Sequence, residues 1–146
     1  MDNQICWWFA GFEAGLETLP QEERGNLLHA CAENCLKMGM LDFYRGIYKD
    51  RDGDIDQFFQ ALGELEGLDT EIIVPQNEYW LIFHQCTCAL HTQGYINSSL
   101  LCDCSRQSVL CILKELLPQR RFSVEPEGTI LGGAPSCRFH ITALEG

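Results

Sequence analysis

The stretch Thr70-Glu71-Ile72-Ile73-Val74-Pro75-Gln76-Asn77-Glu78-Tyr79-Trp80-Leu81-Ile82-Phe83 marks where this chain of 146 residues changes character. A β-branched run from Thr70 to Val74, a turn-like Pro75-Gln76-Asn77 and an apolar run from Tyr79 to Cys88 read as two strands. Upstream, apolar residues recur with a helical period; downstream, one long helical segment stands between strand-like ones. The spacing predicts an α+β fold in a single domain over 1–146. A helical N-terminal half (1–68) packs on a small antiparallel sheet with a long helix, the cysteine-rich β-β-α-β-β half (69–146).

Working back from the switch, Gln4 to Leu19 carries Cys6, Trp7, Phe9, Phe12 and Leu16 at helical spacing. Pro20 suits the first position of the next helix, with Glu22 and Glu23 in its first turn. That helix presents Leu27, Leu28, Cys31, Cys35 and Met38 and ends near Gly39. A short helix from Leu41 to Tyr48 follows. The aspartate-rich Asp50 to Asp56 looks like a calcium loop, but Ile55 and Ala61 stand where that loop needs glycine and glutamate. It reads instead as a turn with an N-cap at Asp54 or Asp56, opening a helix with Ile55, Phe58, Phe59, Leu62 and Leu65.

Working forward, a helix is expected from Asp103 or Ser105 to Leu117, stopped by Pro118. Arg121 to Glu125 and Ser136 to Ala143 alternate as strands, joined by the glycine-rich run from Glu127 to Pro135.

Composition narrows the partners. The formal charge is −11, from 21 Asp and Glu against 10 Lys and Arg. Such a chain is repelled by polyanions, so neither nucleic acid nor an anionic membrane is an expected partner. No apolar run is long enough to span a bilayer, and the N-terminus lacks the basic region of a signal peptide. A cytoplasmic location is the expectation. Nine cysteines without an export signal, and in odd number, point away from a disulfide framework. Metal ligands, reactive thiols and small buried hydrophobes remain.

Two C-x-C pairs, Cys86-Thr87-Cys88 and Cys102-Asp103-Cys104, carry the strongest chemical signal. Strand alternation would turn Cys86 and Cys88 to one face, together with Trp80, Ile82 and His84. Zinc takes four nitrogen or sulfur ligands at about 2.0–2.3 Å, and two thiols on one side supply half a site. At a helix start the backbone N–H groups favour a thiolate. If the helix already includes Cys102, helical phase puts that residue with Val109, Leu113 and Leu116 on a core face, and Cys104 with Cys111 on the other. Cys104 is therefore the better ligand or nucleophile. Cys137 shares a strand face with Phe139 and Ile141, where burial and metal binding explain it equally. Cys6, Cys31, Cys35 and Cys111 read as core or surface thiols. His84 and His91 flank the first pair; His29 and His140 have no partner in sequence.

The motifs C-T-C (86–88), C-D-C-S-R-Q-S-V-L (102–110) and F-S-V-E-P-E-G-T-I-L-G-G-A-P-S-C-R-F-H-I (122–141) carry a resemblance. They resemble a family of small bacterial and archaeal cysteine-rich proteins similar to L-2-amino-thiazoline-4-carboxylate hydrolase. The ending is also similar to the 4-vinyl-reductase-type domain, a small-molecule-binding module. In sensors built on that module, cysteines hold a structural zinc beside the ligand pocket. The resemblance implicates Cys104, Cys137 and one of Cys86 or Cys88 as ligands, with the second member of either pair, such as Cys102, completing the set. Gln107 stands where the family often has glycine.

Two functions follow as expectations. One is a domain that binds a small apolar or heterocyclic ligand among aromatics such as Trp7, Trp8, Phe9, Phe12 and Trp80. Its metal site would be Cys86, Cys88, Cys102, Cys104 and Cys137, holding zinc in preference to an iron–sulfur cluster. The other, implied by the resemblance, is a hydrolase of a cyclic C–N or C–S substrate, with Cys104 as nucleophile or metal ligand and His84 or His91 as base.

Overall fold

A computed structural model describes residues 3–84, 89–96, 102–128 and 136–144. Four helices come first: α1 (Asn3–Thr18), α2 (Gln21–Met38), α3 (Leu41–Asp50) and α4 (Ile55–Gly63). Strands β1 (Leu68–Val74) and β2 (Glu78–Phe83) follow, then a one-turn α5 (Ala89–Thr92) and the long α6 (Cys102–Leu116). Strands β3 (Arg121–Pro126) and β4 (Cys137–Leu144) end the described chain. The α+β architecture read from the sequence is the one observed, and the 70–83 stretch is its first hairpin.

The four strands form one antiparallel sheet in the order β1-β2-β4-β3. Alternation divides it cleanly. Tyr79, Leu81, Phe122, Val124, Cys137, Phe139 and Ile141 are buried on one face. On the other, the Trp80 ring lies between the His140 ring, 4.9 Å away, and the Arg138 guanidinium, 4.7 Å away. Helices α4 and α6 cover the apolar face, and α2 packs on the far side of α6. This double contact explains why α6 is apolar on two sides: Val109 and Leu113 belong to the core cluster on the sheet, while Cys111 joins Leu36 and Leu41 behind it.

The hairpin turn is anchored to α4. Gln76 adopts a left-handed φ of 69°, uncommon for a residue with a Cβ. Its backbone N–H donates to Asp56 Oδ1 at 2.8 Å and its side-chain amide to Asp54 Oδ1 at 2.8 Å. Tyr79 donates its hydroxyl to the same Asp56 oxygen at 2.6 Å. The aspartates read as a capping turn thus tie the helical half to the sheet.

Three local expectations need correction. Pro20 is the N-cap of α2, one residue before the helix begins. The buried stripe of α2 is Gly25, Leu28, Ala32 and Leu36, whereas Cys31, Cys35 and Met38 are exposed. Small residues let α2 approach α6 closely, and a glycine and an alanine give little apolar signal in a sequence. In α1 only Leu16 is buried; Trp7 and Trp8 are 71% and 64% exposed, so they do not fill the core.

Candidate functional site

An apolar pocket lies between the sheet and its helices. Tyr44 of α3, Phe58, Phe59 and Leu62 of α4, Leu81 and Phe83 of β2, and Val109 and Leu113 of α6 are among its walls. Its cavity volume is about 30 Å³, and about 390 Å³ when the open solvent at its mouth is counted. The same residues give α4 and α6 their helical apolar stripes, so the pocket is a gap in the core rather than a separate feature. Among the described residues that line it, the only hydroxyl is that of Tyr44, and burial pushes that phenol up. A lining of this kind selects for shape and apolar area.

The strand register locates the cysteine segments around one end of this pocket. Phe83, a pocket residue and the last of β2, pairs with Cys137, the first of β4. Arg106 of α6 donates to the Val124 carbonyl at 2.6 Å, and α6 runs antiparallel to β3, so the helix start faces the end of β3. Pro126 there pairs with Phe139, two residues from Cys137. The start of α6 with Cys102 and Cys104, the start of β4 with Cys137 and the end of β2 therefore share one end of the molecule.

Cys137 is buried in the main core cluster, and Cys102 and Cys104 are partly buried. The helix does include Cys102, the case in which that residue turns toward the Val109 face. Cys86 and Cys88 lie outside the described residues, and the strand that was expected to reach them is described only to Phe83. Among the described residues, no three His, Cys, Asp or Glu side chains are grouped as metal ligands. Two buried polar atoms near these segments in sequence, His91 Nδ1 and Asp103 Oδ2, have no hydrogen-bond partner among the described residues. His84 is held by Asp69 through Nε2, and His140 by Glu78 at 2.6 Å.

A second, polar pocket lies behind α6, and nothing in the sequence pattern announces it. His29 of α2 meets two α6 side chains, Gln107 at 3.0 Å and the Cys111 sulfur at 3.6 Å. The partners are 78 and 82 residues away, beyond the reach of any spacing argument. Gln107, read as a departure from the family glycine, is buried here and faces Gly25.

No protein-family model matches the chain, and no curated protein matches it. Among solved structures, it is similar to a trafficking protein particle complex subunit 3 from Naegleria fowleri, whose crystal structure is of the protein covalently bound to palmitic acid. The two share 11% identity at a TM-score of 0.46, over 97% of this chain and 94% of that one. No described helix is long and apolar enough to cross a membrane.

Proposed function

We propose that this protein is a small-molecule-binding domain, with an apolar ligand held between the sheet, α4 and α6 and a cysteine-ligated zinc closing the adjacent end. The pocket carries the reading: its walls are aromatic and aliphatic, and Phe83 links them to the strand that leads toward Cys86 and Cys88. The zinc rests on the shared end of the α6, β4 and β2 segments and on the chemistry of the donors. Cys102 and Cys104 sit in the first turn of a long helix, where the dipole favours the negative charge of bound thiolates. The orphaned His91 Nδ1 is of a type that accepts a metal or a bound water. The ion would clamp the helix start to the sheet; binding itself needs no reaction.

Two measurements test this. Elemental analysis of protein purified without added metal is expected to find about one zinc per chain, lost in C104S and C137S. Less than about half an equivalent in the parent protein defeats the zinc assignment. Titration with the neutral fluorophore N-phenylnaphthylamine is expected to show saturable binding, weakened about tenfold by Val109→Phe, which fills the gap. Equal binding by a folded V109F chain defeats the pocket assignment.

A further inference from the structure

Helix α2 carries two apolar stripes, and the fold uses one of them. Gly25, Leu28, Ala32 and Leu36 are buried, and α2 packs on α6. The second stripe runs through Leu27, Cys31, Cys35 and Met38, at i, i+4, i+8 and i+11, and it is turned away from that contact. Leu27 is 40% and Met38 82% exposed, and both thiols are exposed. A helix face in water ordinarily carries charge. Here Glu33 and Lys37 lie to one side and pair with each other at 2.6 Å. Three of the four exposed side chains contain sulfur. Neither thiol makes a hydrogen bond or ion pair among the described residues, and neither is in a disulfide.

From this spacing we propose that Cys31, Cys35 and Met38 form a surface site for a thiophilic monovalent metal ion of the copper(I) class. Residues four and three apart are neighbours on a helix, with Cβ atoms about 5–6 Å apart. Cys31 and Cys35 stand at the first spacing, Cys35 and Met38 at the second. A metal–sulfur bond is about 2.3 Å long, so an ion between two sulfurs spans up to about 4.6 Å. Side-chain rotation closes the difference without moving the helix backbone. Each thiol releases its proton as its sulfur binds. The metal keeps its oxidation state, and two thiolates with one cation leave a single negative charge in water.

The donor set chooses the ion. Thiolate and thioether together select copper(I), whereas structural zinc takes four ligands. Among the described residues, no third His, Cys, Asp or Glu joins the two thiols. Two thiolates with a thioether beside them suit an ion that accepts two or three ligands. Cys35 and Met38 also lie in the last turn of α2, where the negative end of the helix dipole favours a cation.

Anaerobic copper(I), held at fixed free concentrations by excess bicinchoninate, tests the site in the full chain through protection from N-ethylmaleimide. Tryptic cleavage after Arg24 and Lys37 then gives peptide 25–37, which contains Cys31 and Cys35 and no other cysteine. The readout is therefore separate from the zinc proposed above. Both thiols are expected to be protected together, with one midpoint. Cys35→Ser should raise the copper midpoint for Cys31 about a hundredfold, because one anchored sulfur no longer presents the ion to the other. Met38→Leu should raise both midpoints about tenfold. Zinc at the same free concentration should leave both thiols open to labelling. All three positions are exposed, so the variants should melt with the parent. An unchanged Cys31 midpoint in C35S overturns the chelate, and unchanged midpoints in M38L overturn the thioether ligand. Labelling indifferent to copper(I), or equal protection by zinc, overturns the metal class.

Discussion

At the scale of single residues, the decisive groups are polar ones whose partners lie far along the chain. Asp56 was legible as a turn or capping residue, yet it accepts from Tyr79 and from both the backbone and side chain of Gln76. Burial raises its carboxyl, but these hydrogen bonds outweigh burial and hold it below the usual carboxylate range. The sign follows from linkage: a depressed folded value stabilises the fold above the unfolded carboxyl value near 4. That stabilisation is lost as pH falls through the lower folded value. Urea melts between about pH 2 and pH 7 should therefore show a shallower acid decline in Asp56→Asn than in the parent. Tyr79→Phe removes a bond to a charged acceptor and should cost about 1.5–3 kcal/mol near neutral pH. A Tyr79→Phe chain as stable as the parent would show that the hairpin does not depend on this anchor.

At the scale of elements, periodicity located helices and strands well and their buried faces less well. Ile55, Phe58, Phe59 and Leu62 were readable because large apolar residues set the phase of α4, and all four are buried. In α2 the phase was hidden by Gly25 and Ala32, which pack by being small. Another close approach joins α4 to β1. A Cβ built on Gly63 would stand 2.6 Å from Thr70 Oγ1, which is committed to the Phe59 carbonyl at 2.7 Å. Gly63→Ala must push the strand away or break that bond, and a loss of about 1–3 kcal/mol is expected in chemical unfolding. Stabilisation instead, the usual result of Gly→Ala within a helix, would mean the contact gives way freely.

At the scale of the whole molecule, the sheet buries one face, α4 and α6 cover it, and α1 stays at the margin. Leu16 is 1% exposed while Trp7 is 71% exposed. Leu16→Ala should cost about 2–5 kcal/mol, and Trp7→Ala should stay within about 0.5 kcal/mol. Comparable losses at both positions in thermal melts would refute this placement of α1. The sequence alone determined what short-range physics controls: the switch near residue 68, the β-β-α-β-β order, and the apolar stripe of α4. Those rest on side-chain alternation, helical period and turn chemistry, each complete within a dozen residues. Only the tertiary structure decided which cysteines meet which partners. The strand order β1-β2-β4-β3 sets Cys137 beside Phe83, and the α2–α6 contact sets His29 against Gln107 and Cys111. No local pattern encodes such pairs, because packing between elements creates them.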